Sequence, residues 1–321
     1  MKPKKVNVLV TSAGSAPAVS VIKALRQQKE LDIGIVGIDM DELSAGFYLS
    51  DKYYKVNSTS DPAFLKQLQG LCKKEKIFLI IPIIDEELPV FARQKNNFGK
   101  TKVLVNDSST IELAQDKWKT YQFCKDNNIL CPRTARMGFD SRANIDFDSS
   151  GIIKPLKGRG SQGLYFINDK KQLVNLSINI KEYIWQEKIE GKEYTVDIVA
   201  SPKGEILQAI PRERIMVKSG QIYKGRTVKN SKLMKLAAKV AKKFAITGPG
   251  NIQFIEKNNE FYLIEVNPKF AAGLPLTVNA GVNIPLLLIK MQMSKKLSSE
   301  ELEFKDNFFM LRYWEEVYFQ K

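Results

Sequence analysis

The sequence predicts an α/β protein whose first third is an open, mostly parallel sheet and whose remainder is α+β. Three observations carry the prediction. Buried-type strands alternate with helical periods from residue 1 to about 105. A glycine-rich turn at 156–163 is followed by a strand, not by a helix. A stretch at 250–270 sets single polar residues among apolar ones at period two, as a hairpin does.

In the first lobe, VNVLVTSAG reads as a buried strand ending in a small-residue turn, PAVSVIKALRQQ as a helix and IGIVGIDMD as a second strand. Residues 53–56 form a short strand, DPAFLKQLQGLCKKEK a helix, FLIIPII a parallel-type strand, DEELPVFARQ a helix and TKVLVND a further strand. Asp39 ends the second strand, where a dinucleotide-binding sheet places its ribose-binding acid. The turn TSAGSAP has one glycine and no GxGxxG, which weighs against a dinucleotide. Asp85 and Glu86 follow the FLIIPII strand, at the end of the sheet where ligands bind; capping the next helix is their plainer expected role.

In the middle, Asp107, Ser108 and Ser109 cap the first of two helical segments, and Asp116-Lys117 falls between the two. A lysine beside a helix N-terminus adds a point charge suited to phosphate, although on this segment alone a solvated lysine is the plainer reading. In GIIKPLKGRGSQGLYFIND, Lys154 sits in a strand, and Gly158, Gly160 and Gly163 form a formal GxGxxG. Because a strand follows, the turn reads as a flap whose backbone amides close over phosphates. An ordinary hairpin is the alternative, and the neighbouring Lys154 weighs against it.

Polar Gln186-Glu187 then stands among apolar residues, and a spacer leads to Glu193, as in a hinge offering backbone groups to a purine and a carboxylate to ribose. EYTVDIVAS and EILQAIPRERIMVK are strands. LMKLAAKVAKKFA is an amphipathic helix that Gly248 and Gly250 should end. The hairpin has strands NIQFIE and EFYLIEV around the turn KNN. Its alternation puts Glu265 and Asn267 on one face, and with Gln253 they offer only oxygen ligands, as a hard cation requires. An edge hairpin with one solvated face is the competing reading. The aromatic tail FFMLRYWEEVYF should pack back on the core as strand or helix, or form an interface.

Composition narrows the chemistry. The 321 residues include no histidine, which excludes Ser-His-Asp and Cys-His catalysis and His-ligated zinc. Cys72, Cys124 and Cys131 are odd in number and form no CxxC pair, so reduced thiols are expected. The net charge of +15 is spread along the chain, which favours a lysine-rich background over nucleic-acid binding. No apolar run reaches membrane-span length and the N-terminus has no secretion-signal pattern, so a cytoplasmic protein is expected.

Taken in order, TSAG, GIDMD, DKWKTY, IIKPLKGRGSQG, QEKIEGKEYTVD, GNIQFI and IEVNPKFAAGLPLTVNAGVNIP resemble the ATP-grasp superfamily. They are most similar to single-copy enzymes resembling one half of the carbamoyl-phosphate synthase large subunit. The resemblance implies a Rossmann-like pre-ATP-grasp lobe over 1–105, a small ATP-grasp subdomain with connecting helices over 106–185, and a C-terminal subdomain with the metal site over 186–321. It implies ATP and Mg²⁺ (or Mn²⁺) as cofactors. By position, Lys117 and Lys154 match the phosphate-binding lysines. Gly158, Gly160, Ser161 and Gly163 match the flap. Gln186, Glu187, Lys188 and Ile189 match the adenine hinge, with backbone contacts from Glu187 and Ile189, and Glu193 matches the ribose acid. Gln253, Glu265 and Asn267 match the metal ligands. Lys269 stands where the family often has arginine, which keeps the charge but loses the bidentate fork. Arg212 and Arg214 resemble basic residues that approach the γ-phosphate or a substrate carboxylate. The implied activity is an ATP-dependent carboxylate–amine (or thiol) ligase working through an acyl phosphate on small-molecule substrates, with no nucleic acid or membrane partner; homodimers are common among such relatives. The alternatives are a bicarbonate or carbamate kinase, a non-catalytic nucleotide-binding module and an NAD-type oxidoreductase.

Overall fold

The computed structural model describes residues 5–138, 151–158, 163–167 and 180–320. Gly160 and Ser161 lie outside the described residues. In the first lobe, strands β1 (Val6–Val10), β2 (Ile33–Asp39), β3 (Lys52–Lys55), β4 (Ile77–Ile81) and β5 (Lys102–Val103) form one parallel sheet in the order β3-β2-β1-β4-β5. TKVLVND thus contributes only two residues of strand. Residues such as Val8, Leu9 and Ile80 are fully buried because both faces of the sheet are covered. Helices Phe64–Lys74 and Leu88–Gln94 pack on one face. Helix Ala16–Gln27 packs on the other, together with helices Leu274–Asn279 and Ile284–Gln292 from the far end of the sequence. Ser15 caps the first of these helices by accepting the Ala18 N–H, and Pro17 pre-sets its first turn.

The strand order reverses between β1 and β4, which opens a crevice at their C-terminal ends. Asp39 spends its carboxylate on the adjacent turns, accepting the Gly14 N–H at 2.8 Å and the Asp41 N–H at 3.0 Å. The capping expectation for Asp85 and Glu86 is corrected. Glu87 is the cap residue of helix Leu88–Gln94, and no side chain caps that helix. The Glu87 carboxyl turns back instead to accept the hydroxyls of Thr11 at 2.5 Å and Ser12 at 2.7 Å, and burial pushes its pKa up.

The second large sheet uses β10 (Lys192–Ala200), β11 (Ile206–Lys218), β12 (Gln221–Thr227), β13 (Pro249–Lys257), β14 (Glu260–Asn267) and β15 (Phe309–Leu311), in the order β14-β13-β10-β11-β12-β15. All its pairings are antiparallel. Period two divides it sharply. Tyr194, Val196, Ile252, Phe254 and Leu263 pack under helix Ser231–Lys243, while Glu193, Thr195, Asn251, Gln253, Glu265 and Asn267 face the other way, into a cleft. That helix ends through Ala245 at φ 54°, ahead of Gly248 and Gly250; Gly250 lies within β13. The predicted hairpin is β13–β14, and its turn residues Asn258 and Asn259 both have positive φ, 53° and 61°, as a tight primed turn needs.

A smaller antiparallel sheet contains β6 (Thr134–Arg136), β7 (Gly151–Pro155), β8 (Tyr165–Ile167) and β9 (Tyr183–Glu187), in the order β6-β9-β7-β8. Strand β9 runs across the expected 185/186 boundary, so Gln186 and Glu187 belong to this sheet. A side chain at Gly151 would lie 1.9 Å from Trp185 Nε1, so only glycine lets the two strands meet there. Buried Asn106 ties the first lobe to the hairpin. It donates to the Pro249 carbonyl at 2.9 Å and the Pro268 carbonyl at 3.0 Å, and accepts the Thr247 N–H at 2.8 Å. After the short strand β15 the tail runs extended, with Tyr313, Trp314 and Tyr318 exposed rather than packed on the core. Among the described residues no helix is long and apolar enough to cross a membrane.

Candidate functional site

A cleft of about 700 Å³ lies between the polar face of the second large sheet and the small sheet, with Asp85 and Glu86 of the first lobe at one end. Four of the lining strands carry polar residues two apart: Glu193 and Thr195 on β10, Arg212 and Arg214 on β11, Asn251 and Gln253 on β13, Glu265 and Asn267 on β14. Sheet register sets these against one another. Gln253 is directly opposite Glu265, and Asn251 directly opposite Asn267.

The metal-type set is therefore assembled by the hairpin alone. Asn267 Nδ2 donates to Glu265 Oε1 at 2.9 Å, which turns the amide nitrogen inward on the carboxylate and leaves the amide oxygen for another partner. The Gln253 side chain makes no hydrogen bond with the described residues. A half-buried carboxylate flanked by two amide oxygens fits Mg²⁺, which takes few protein ligands and relies on substrate phosphates for the rest. Among the described residues no group of three or more His, Cys, Asp or Glu side chains could hold a metal, so this set holds a single carboxylate.

Two lysines converge on the same space. Lys154, on β7, donates to Gln186 Oε1 at 2.6 Å, and Gln186 Nε2 in turn donates to Thr134 Oγ1 at 3.2 Å. Burial depresses the Lys154 ammonium to about 8, with Lys117 adding repulsion while Glu265 and Glu193 oppose the shift. Lys117 opens the helix Lys117–Asp126, whose cap is the Asp116 carboxylate, and it donates to the Gly158 carbonyl at 3.2 Å. Burial lowers its pKa as well, against the pull of Glu265 and Asp85. Two half-buried lysines, whose charged forms burial disfavours, stand beside Glu265, an arrangement that a polyphosphate would complete.

At the hinge, the Glu187 N–H is already donated to the Arg133 carbonyl at 2.8 Å, so only the carbonyl side of Glu187 remains for the purine contact the resemblance implies. The Ile189 side chain is buried against the cleft, and Lys188 pairs with Glu190 at 2.7 Å. Glu193 lies 3.1 Å from Arg214 Nε, close in distance but not aligned as a hydrogen bond; Arg214 also donates to Thr195 Oγ1 at 3.3 Å and the Gly220 carbonyl at 3.1 Å. Gly158 and Gly163, at φ 141° and 66°, hold backbone conformations that other residues rarely adopt.

The remaining expectations need refinement. Arg212 is 1% exposed, and its Nε and Nη2 are bound to the Asp197 carboxylate at 2.8 and 2.7 Å, so only Nη1 faces Gly273 and the cleft. Lys269 is ion-paired with Asp85 of the first lobe, which neutralises the charge that a substrate would otherwise meet. Sequence reasoning missed Asp197, Thr277 and Asn106. Asp197 and Asn106 look like ordinary polar residues in or after a strand, and Thr277 lies in a helix; the partners of all three are far away in sequence.

Two family models match the chain: "ATP-grasp in the biosynthetic pathway with Ter operon" over residues 179–315 and "PylC-like, N-terminal domain" over residues 8–105. Among curated proteins, the carbamoyl phosphate synthase large chain of Caldanaerobacter subterraneus subsp. tengcongensis is 24% identical over 306 residues, covering 88% of this chain and 28% of that one. The corresponding chain of Clostridium botulinum (strain Alaska E43 / Type E3) is 25% identical over 307 residues, with 88% and 27% covered. The chain thus spans under a third of the length of these relatives. Among solved structures, the biotin carboxylase domain of the Hydrogenobacter thermophilus 2-oxoglutarate carboxylase, in complex with MgADP, ADP and bicarbonate, matches with TM-score 0.75 and 19% identity over 93% of this chain and 72% of that one. The L-amino acid ligase of Bacillus licheniformis matches with TM-score 0.70 and 15% identity over 95% and 78%. At such identities these structures share the fold.

Proposed function

We propose, starting from a chain that is an ATP-grasp protein resembling one half of the carbamoyl phosphate synthase large chain, that it is an ATP-dependent carboxylate–amine (or thiol) ligase. The observation that carries this reading is the convergence of Gln253, Glu265 and Asn267 with Lys117 and Lys154 in one cleft. ATP lies between the small sheet and the polar floor. Its adenine meets the backbone at 187–189, its ribose hydroxyls meet Glu193, and its phosphates meet Lys117, Lys154 and the glycine turn that includes Gly158, Gly160, Ser161 and Gly163. Mg²⁺, held by Gln253, Glu265 and Asn267, neutralises phosphate charge when bound. The residues of the chain supply position and charge, and phosphoryl transfer asks for little else, which is why a protein without histidine can do it. Lys154 at a pKa of about 8 becomes fully charged beside a polyphosphate. The substrate carboxylate takes the γ-phosphoryl group to give an acyl phosphate and ADP, and an amine then displaces phosphate. Lys269, Arg212 Nη1 and Arg214 face the substrate end.

The test is ADP release with Mg²⁺-ATP across a panel of carboxylates, with hydroxylamine as surrogate amine and hydroxamates identified by mass. One carboxylate giving both ADP and its hydroxamate is the expected result. The similarity to carbamoyl phosphate synthase favours a second reading, a bicarbonate kinase, which predicts ADP release only with bicarbonate.

A further inference from the structure

The C-terminal tail fastens a guanidinium onto two residues that line the cleft. Arg312 follows β15, and its backbone N–H donates to the Tyr223 carbonyl at 3.1 Å, which fixes it in register beside β12. Beyond it the tail is fastened to the first lobe, by an ion pair between Glu315 and Lys23 and by Phe319 stacked on Tyr48 with ring centroids 4.1 Å apart. The side chain therefore has a defined place although its aromatic neighbours are exposed.

Arg312 donates to the Ala272 carbonyl through Nη2 and to Gln221 Oε1 at 3.3 Å through Nη1. Ala272 and Gln221 both line the cleft. These contacts use two of the five guanidinium N–H groups. Among the described residues Arg312 has no carboxylate partner, although the chain pairs Arg26, Arg133, Arg212, Arg214 and Arg226 with acids. Burial and the nearby Arg212 both lower its pKa, so the cation is kept at a cost. One residue away, at Gly273, a Cβ would lie 2.0 Å from Arg212 Nη1, so a glycine there keeps the open edge of the buried Arg212 uncovered. Beside Ala272 and Gly273 there is thus one guanidinium without an acid among the described residues and the free edge of another.

We propose that Arg312, with Arg212 Nη1, receives a second carboxylate of the acid substrate, so that the ligase acts on a dicarboxylic or amino-dicarboxylic acid and activates only one of its two carboxyl groups. This rests on the ligase reading above and names its substrate class. A planar guanidinium matches a carboxylate in two parallel hydrogen bonds, which an ammonium cannot copy.

The test pairs acids that differ by one carboxylate: butyrate with glutarate, and 4-aminobutyrate with glutamate, each with Mg²⁺-ATP and hydroxylamine. A parallel measurement follows the thermal shift that each acid causes in the presence of Mg²⁺-ADP. Wild-type protein should turn over, or be stabilised by, only the dicarboxylate of a pair. Arg312→Ala should raise KM for that acid about 10- to 100-fold with kcat nearly unchanged, and Arg312→Lys should fall between. ATP affinity, measured by calorimetry, should stay at the wild-type value in both variants. Equal turnover of the monocarboxylate, an unchanged KM in Arg312→Ala, or neither turnover nor stabilisation with any dicarboxylate would overturn the assignment. A dicarboxylate that stabilises wild type but not Arg312→Ala, yet gives no ADP, would support the anion site and refute the ligase reading.

Discussion

The two large sheets place their polar groups differently. In the parallel sheet both faces are covered by helices, so polar side chains such as Thr11, Asp39, Asp85 and Glu87 gather at the C-terminal ends of strands. In the antiparallel sheet one face lies under helix Ser231–Lys243, while the other is a polar floor that helix Leu274–Asn279 covers only at the Asp197 end. An edge supplies a few groups held by loops, whereas a floor supplies many groups at fixed spacings of strand and register. The candidate site accordingly draws its metal-type set and two arginines from the floor, and from the parallel sheet it takes one end wall, Asp85 and Glu86.

If that contrast is right, substitutions on the open floor should remove function and spare the fold, substitutions at its covered end should cost stability, and edge substitutions should do little. The largest effect is expected at Glu265. Glu265→Ala should lower ADP release by on the order of 10³-fold with an unchanged unfolding midpoint; near wild-type turnover would remove the metal assignment. Asp197 comes next, because it lies at the covered end of the floor as the acid partner of buried Arg212 and also accepts the Thr277 hydroxyl at 2.5 Å. Asp197→Ala leaves a guanidinium buried without its acid and should cost about 3 kcal/mol in denaturant unfolding. A loss below about 0.5 kcal/mol, the scale of ordinary surface changes, would mean that Arg212 is solvated from the cleft.

Lys154 tests the opposite wall. Its ammonium sits near 8 in the folded chain against an ordinary 10.5, so between those values the unfolded chain binds more protons and stability without nucleotide should rise with pH. Polyphosphate reverses the preference. ATP binding at pH 8.5 should take up a proton, seen as buffer-dependent binding heat, and affinity should fall as pH climbs past about 8. Lys154→Met should sharply reduce the uptake, leaving only the share of Lys117, and reduce kcat/KM by roughly 10²-fold. The smallest effect is expected at the edge. Asp85→Asn breaks the half-buried pair with Lys269 and should cost about 1 kcal/mol or less of stability. A loss of several kcal/mol would show that the lobe junction, not the floor, holds the molecule together.

Much of this arrangement was legible in the chain. Alternation of strand and helix predicted the parallel lobe, and period-two alternation in GNIQFIEKNNEFYLIEVNPKF predicted a hairpin with Glu265 and Asn267 on one face. Lys154 stood out from local pattern, as a lone cation in an apolar strand, whereas Lys117 at a helix start reads as a solvated lysine on its own segment and was singled out only by the family resemblance. The pairing of Arg212 with Asp197 was not visible. The register of β10 and β11 creates it, and EYTVDIVAS and AIPRERIMVK each look complete without the other.

By itself the sequence determined most of the elements, the order of glycine turn, Gln186-Glu187 stretch and hairpin, and the exclusion of histidine chemistry, since these depend on residue type and short-range spacing. Only the tertiary structure decided which charges are spent and which remain available. Arg212 and Lys269 are engaged by Asp197 and Asp85, from 15 and 184 residues away, while Arg312 reaches cleft-lining Gln221 from the tail with no acid partner among the described residues. The physical reason is that a charge is costly to bury unless an opposite charge meets it, and which partner arrives depends on sheet register and lobe packing, which are long-range.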